Sequence, residues 1–218
     1  MHNPPLQRRL VWSKPLRICH WSLALATLTL LLTGWLVRWA PERAEQVRDY
    51  HFIAAALLIA ALLARVWLLF AGKGTARIDQ LLPDRHRLGQ AWQVLRSYLT
   101  LGKIPLPKWY AHNPLWAPLY LLLFLVLTLQ AGTGLALLND ITLLGGVSLR
   151  GLHGWGFGFL LVFTLLHLVA SFFHDAKGGG DDVSAMINGQ RLFTIEPLEV
   201  EPGSGTVIPL KEVRLKKP

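Results

Sequence analysis

Four stretches of this chain, 16–37, 51–71, 115–138 and 152–173, run almost without charge. Each has about 20 residues or more, which at about 1.5 Å per helical residue is enough to cross a hydrocarbon layer of about 30 Å. Of the 218 residues, 52% are apolar and only 16% charged, a composition shifted from that of a soluble domain toward a membrane class. The expected fold is an all-α membrane protein, a bundle of four transmembrane helices.

The formal net charge of +9 would suit nucleic acid if it covered one face of a soluble module, but here the basic residues border the apolar spans. Arg8, Arg9, Lys14 and Arg17 lie at the start of the first span, and Lys73, Arg77, Arg85, Arg87, Arg96, Lys103 and Lys108 lie between the second and third. Lys177, Arg191, Lys211, Arg214, Lys216 and Lys217 follow the fourth. The two remaining connections hold only Arg38, Arg43, Arg48 and Arg150, and Glu42, Glu45 and Asp49 offset the first of these. Cytoplasmic segments carry the excess of Lys and Arg, so both termini are expected to be cytoplasmic and the chain to cross a bacterial inner membrane. Met1 to Lys14 is polar and has no apolar stretch ending in a small-residue cleavage site, so no cleavable signal peptide is expected.

Residues 1–175 are therefore expected to form the transmembrane domain, with a cytoplasmic loop over 72–114 and a cytoplasmic tail over 176–218. Within the loop, Leu88, Trp92, Leu95 and Leu99 share a helical face, which predicts an amphipathic helix over 84–100 at the membrane surface or packed under the bundle. Beyond Glu196 the tail alternates apolar residues with Pro202, Gly203, Ser204, Gly205 and Pro209, the pattern of an extension or a small hairpin. No internal sequence repeat is visible. The single cysteine, Cys19, excludes a disulfide framework, a cysteine-rich metal site and covalent attachment of a c-type haem, and reads as a small packing residue.

An ionisable side chain at membrane depth is costly and calls for a partner or a task. His20 and His167 fall near the cytoplasmic ends of spans one and four, while His51 and His153 fall near the outer ends of spans two and four. His153 and His167 are 14 residues apart, a rotation of about 1400°, so they share one helix face with a rise of about 21 Å. Zinc or copper needs its ligands within about 2 to 2.3 Å of one ion, which that rise forbids for this pair. Two ligand pairs at two depths suit two stacked haem b groups, each held by two histidines and passing electrons rather than binding substrate. Gly34 follows His20, and Arg65 follows His51, by the same 14 residues, which sets each at the depth of the other pair. Glycine would admit a flat macrocycle, and a buried arginine would meet a haem propionate. The plain alternatives are close helix packing for Gly34 and snorkelling to the interface for Arg65.

Arg17-Ile18-Cys19-His20-Trp21, Thr33-Gly34-Trp35, His51-Phe52, Arg65 with Trp67, Phe70 and Gly72, His112-Asn113-Pro114, Thr133-Gly134, His153, His167 and the segment from Asp182 to Arg191 occur in that order. Together they resemble the b-type cytochrome subunit of membrane-bound nickel-iron hydrogenases, within the four-helix di-haem cytochromes b, over about Arg17 to Arg191. The resemblance implies His20, His51, His153 and His167 as iron ligands, and Arg17, Gly34 and Arg65 as further cofactor-binding residues. It implies electron entry from a periplasmic hydrogenase small subunit, or another periplasmic redox protein, to the outer haem, then passage to the inner haem and to quinone. A quinone would meet His112 and Asn113 at the start of span three, where an amide and an imidazole can hydrogen-bond a carbonyl and the imidazole can deliver a proton. Asn113-Pro114 alone also reads as a helix start. Competing expectations are a stand-alone di-haem quinol oxidoreductase, a cytochrome b subunit serving another periplasmic dehydrogenase or cytochrome c, and a histidine-bearing anchor or transporter without haem.

Overall fold

The computed structural model describes residues 6–178 and 182–194. In chain order these hold β1 (Leu6–Leu10), α1 (Lys14–Trp39), α2 (Ala44–Ala71), α3 (Arg85–Leu99), α4 (Trp116–Leu138), β2 (Leu143–Leu144), β3 (Val147–Ser148), α5 (Leu149–Gly178), α6 (Asp182–Asn188) and β4 (Gln190–Thr194). The chain divides into a unit of residues 9–191, which contains every helix among the described residues, and a small unit of residues 1–8 with 192–218. Strands β1 and β4 pair in a two-stranded sheet.

Among the described residues four helices are long and apolar enough to cross a membrane: α1, α2 with the short 3-10 turn Pro41–Arg43 before it, α4, and α5 to Lys177. Three of the expected spans each lie inside one of them, and the third in chain order, 115–138, starts one residue before α4. Two helices run well past the apolar stretch that revealed them, α2 beginning at Ala44 and α5 reaching Gly178. Hydrogen bonding continues a helix into polar sequence until a cap or breaker stops it, so an apolar run marks the buried length rather than the helix ends. Leu25, Ile53, Leu63, Trp67, Leu125 and Val169 are exposed on the outside of the bundle, as residues that face lipid are. Ala26, Leu31, Leu58, Leu62, Leu127 and Leu160 form the buried centre, with Phe124, Phe157 and Phe159 packed against them. Leu160 is seven residues from both His153 and His167, so this apolar layer lies midway along α5 between the two histidine levels.

Asn113 starts α4 in the manner its sequence suggested. Its carbonyl accepts from Ala117 N at 2.9 Å and its Oδ1 from Leu115 N at 2.9 Å, while Pro114 fills a position where a missing N–H costs nothing. Helix α3 begins at Asp84, whose Oδ1 accepts from Arg87 N at 2.8 Å. It turns Val94 and Ser97 into the protein and leaves Leu88, Trp92 and Leu99 outside, so one face packs on the bundle while the apolar stripe is free for the membrane surface. Helices α4 and α5 are joined by the β2–β3 hairpin, in which Leu143 pairs Ser148 and Leu144 pairs Val147. Its turn residues Gly145 and Gly146 have φ of 55° and 84°, conformations that glycine adopts without strain and that match the twist of a two-residue hairpin.

Past residue 175, the expected start of a separate tail, the chain stays in the larger unit through Arg191. Trp21 Nε1 donates to Met186 O at 3.0 Å, and Arg17 Nη1 donates to Ile187 O. Val11 N and Trp12 N both donate to Gly189 O, at 2.8 and 3.0 Å. The part of the tail beyond Glu196 lies outside the described residues.

Candidate functional site

The inner histidines meet. His20 of α1 and His167 of α5 have ring centroids 6.3 Å apart with their planes inclined by 60°. Two metal–imidazole bonds of about 2 Å and two ring radii of about 1.1 Å would separate the centroids of a trans pair by about 6 Å, so this pair can hold one metal ion between its rings. Aromatic side chains surround it. Phe163 stacks on His167 at 6.2 Å, Trp116 and Tyr120 meet the same ring edge-on at 5.5 and 6.1 Å, and Trp21 meets His20 at 5.4 Å.

The outer histidines, His51 of α2 and His153 of α5, lie within electrostatic reach of one another. Each is held by a threonine on the preceding membrane helix: Thr33 Oγ1 lies 2.8 Å from His51 Nδ1, and Thr133 Oγ1 lies 2.9 Å from His153 Nδ1. The residue after each threonine is a glycine beside the same ring. A Cβ on Gly34 would meet Phe157 at 3.6 Å and His51 Cε1 at 3.8 Å, and one on Gly134 would meet His153 Cε1 at 3.4 Å. Gly34 therefore lies beside His51, with Phe157 against the face where a side chain would stand. Among the described residues no three His, Cys, Asp or Glu side chains gather into a chelating cluster. The histidines come in pairs, a number compatible with a haem iron held from both sides.

Arg65 is 5% exposed. Its Nη1 donates to Ala76 O at 2.9 Å, in the segment that follows α2, and the guanidinium lies 5.3 Å from the Phe124 ring centroid. Among the described residues it forms no ion pair, so this buried cation calls for an anion. Its charge reaches Cys19, which is buried as expected, and His20. Arg17 Nη1 donates to the Ile187 carbonyl at the end of α6, where a cation also suits the helix C-terminus.

His112 lines a cleft of about 220 Å³ with Arg87, Gln90, Lys108, Trp109 and Tyr110. Its ring meets Trp12 at 4.8 Å and Tyr120 at 6.3 Å, and its buried Nδ1 has no hydrogen-bond partner among the described residues. Burial, with the charges of Arg65 and Arg87, lowers its pKa to about 3. The ring is neutral near neutral pH, so it offers hydrogen bonds rather than the stored proton expected of it. Asn113 differs from expectation too. Its Nδ2 donates to His174 Nε2 at 3.2 Å and to Tyr98 Oη at 3.4 Å, while Oδ1 caps α4, which leaves little of the amide for a ligand.

His174 was not among the residues singled out from sequence. It is 7% exposed and centres a network: Tyr98 Oη lies 2.6 Å from Nε2, Asp182 Oδ2 lies 3.4 Å from Nδ1, and Arg191 pairs with Asp182 at 2.7 Å. Trp116 Nε1 also donates to Tyr98 Oη, at 3.0 Å. Burial pushes the Asp182 carboxyl up, but the His174 hydrogen bond and the Arg191 charge outweigh it and hold the group below the usual carboxylate range. Arg191 further donates to the Tyr110 carbonyl at 3.2 Å. The network thus ties α3, α5, α6 and the loop before α4 together behind the cleft.

Residues 11–189 match the family described as prokaryotic cytochrome b561. Similar proteins carry the name probable Ni/Fe-hydrogenase B-type cytochrome subunit. That of Azotobacter chroococcum mcd 1 is 29% identical over 84% of this chain and 88% of its own length, and that of Rhizobium leguminosarum bv. viciae is 30% identical over the same shares. That of Cupriavidus necator is 28% identical over 84% of this chain and 86% of its own. No solved structure matches. The family match spans the four membrane helices and all four paired histidines, and the chain belongs to the prokaryotic cytochrome b561 family.

Proposed function

We propose that this chain is a membrane cytochrome b that binds two haem b groups and passes electrons across a bacterial inner membrane, between a nickel-iron hydrogenase at the outer face and quinone at the inner face. The observation that carries the reading is the meeting of His20 with His167 at 6.3 Å at one level of the bundle, while His51 and His153 are held by matching threonines at the other. Haem b held at each pair would supply reversible one-electron transfer.

The protein's part is to bind, orient and insulate. His51 and His153 would hold the outer haem, and His20 and His167 the inner one. Arg65 answers a haem carboxylate with a buried charge that has no protein anion among the described residues. The layer of Ala26, Leu58, Leu127 and Leu160 keeps water out between the two levels. His112 presents a neutral ring to the inner cleft, where it can hydrogen-bond a quinone carbonyl, and Asn113 positions it by fixing the start of α4. The basic segments at both termini and in the 72–114 loop support a cytoplasmic location for the inner level. The names of the similar proteins support a hydrogenase as the partner, and its small subunit would dock at the outer level.

Purification in mild detergent with the partner tests this. Hydrogen should reduce the b-type bands only while the hydrogenase subunits are present, and an oxidised quinone should then reoxidise them. A chain that purifies alone, reacts with quinol and ignores hydrogen would replace this reading with that of a stand-alone quinol oxidoreductase.

A further inference from the structure

The threonines beside the outer pair carry an inference that rests on the di-haem reading. Thr33 Oγ1 lies 2.8 Å from the Thr29 carbonyl and 3.3 Å from that of Leu30, and Thr133 Oγ1 lies 2.7 Å from the Leu129 carbonyl and 3.2 Å from that of Gln130. A carbonyl oxygen only accepts, so each hydroxyl spends its single proton on its own helix. Toward the imidazole it can then only accept. The proton in each Oγ1···Nδ1 contact must therefore sit on Nδ1 of His51 and of His153, which leaves Nε2 of both rings as a bare lone pair. Both threonines are buried, at 4% and 7% exposure, so water does not compete for these bonds.

The inner pair is built differently. Among the described residues no hydrogen bond reaches the ring nitrogens of His20 or His167. Aromatic rings pack on them, and Arg65 acts electrostatically on His20. An imidazole that donates its N–H to an oxygen is a more basic ligand and favours the oxidised, more positive iron. A cation held in a low-dielectric interior favours the reduced iron. The two levels thus carry opposite biases.

We infer that Thr33 and Thr133 are positioning residues that fix the Nδ1–H tautomer of His51 and His153 and lower the reduction potential of the outer haem, so that an electron entering at the outer face runs downhill to the inner haem. One hydroxyl serves each outer ligand, and each comes from the neighbouring helix, so the bias is built symmetrically into both sides of the outer site.

A redox titration of the b-type bands tests this, in the full-length membrane protein and in Thr33→Val, Thr133→Val and the double variant. The outer component is identified as the one that His153→Ala removes. In the unaltered protein the outer component should titrate at the lower potential. Each single valine variant should move that component upward, the double variant should move it further, and the inner component should stay in place. Thr33→Ser and Thr133→Ser keep the hydroxyl and should return the unaltered potential. If a valine variant loses its outer haem, the serine variant of the same position carries the test: restored haem at the unaltered potential supports the role, and failure to restore it overturns the role. An outer component that is unmoved in a valine variant retaining both haems, or that is the higher of the two in the unaltered protein, overturns the inference while leaving the di-haem reading intact. An unaltered chain without b-type bands overturns that reading instead.

Discussion

Trp21 Nε1 donates to the Met186 carbonyl at 3.0 Å, across 165 positions of sequence. With Arg17, which donates to the next carbonyl at Ile187, it ties the residues flanking His20 to α6. Two motifs that look unrelated along the chain are thus one structure: the first-helix motif holds the segment after the last span in place.

Removing one of these bonds should loosen α6 without removing haem. Trp21→Phe keeps most of the ring and loses the donor, at a cost of about 1 kcal/mol. Limited proteolysis should cut the chain faster after α5 in this variant, and faster still when Arg17→Ala is added, while the b-type bands stay. Unchanged cleavage in the double variant would show that the tail is held by other contacts.

Gly34→Ala separates the needs of the protein from those of its ligand. The new methyl would meet Phe157 and His51 at ordinary van der Waals distances of 3.6 and 3.8 Å, and alanine is favoured over glycine in a helix by up to about 1 kcal/mol. The apo chain should fold at least as well as the unaltered one, by thermal unfolding in detergent, while its haem content drops by loss at the outer level alone. Full haem content would assign Gly34 to helix packing only.

The network around His174 is expected to be structural. His174→Phe leaves the Tyr98 hydroxyl and the Asp182 carboxylate each short of a partner, at a cost of about 1–3 kcal/mol. The melting temperature should fall, and hydrogen exchange should rise in α6 and in the loop before α4, with the reduced-minus-oxidised spectrum unchanged. A spectrum altered at unchanged stability would give His174 a role in electron transfer.

The neutral state of His112 makes stability depend on pH. Its pKa is lowered from about 6.5 to about 3 by burial and by Arg65 and Arg87. Between those values the unfolded chain takes up a proton that the folded chain refuses. His112 therefore costs nothing above pH 6.5, and its contribution turns increasingly unfavourable as pH falls toward 3. His112→Asn should flatten the acid side of a stability profile, and an unchanged acid slope would place His112 in contact with water.

The membrane helices were legible because a run of apolar residues is a one-dimensional signal, and the pairing of His20 with His167 followed from how many times the chain crosses the membrane. The locks at the outer site were not. Thr33 and Thr133 appear in sequence only as letters beside a glycine, and their role depends on the register between antiparallel neighbours, 18 positions apart for Thr33 and His51 and 20 for Thr133 and His153. That difference also hides the repeated device from any search for an internal repeat. His174 did leave a signal: it follows His167 by seven residues, about 20° short of two full turns and so on the same face, but it lies just beyond the apolar run that marks the span. Asn113 was assigned to quinone because an amide can serve a ligand or a helix start equally well, and only the contacts to Leu115, Tyr98 and His174 decide between them.

The most direct test of two haems at two depths is haem quantitation per chain, with low-temperature difference spectra, in the unaltered protein, His153→Ala and His167→Ala. Two haem b per chain are expected in the unaltered protein and one in each variant, with a different spectral component lost from each. Loss of the same component from both variants, or a single haem in the unaltered protein, would contradict the pairing of His51 with His153 and of His20 with His167.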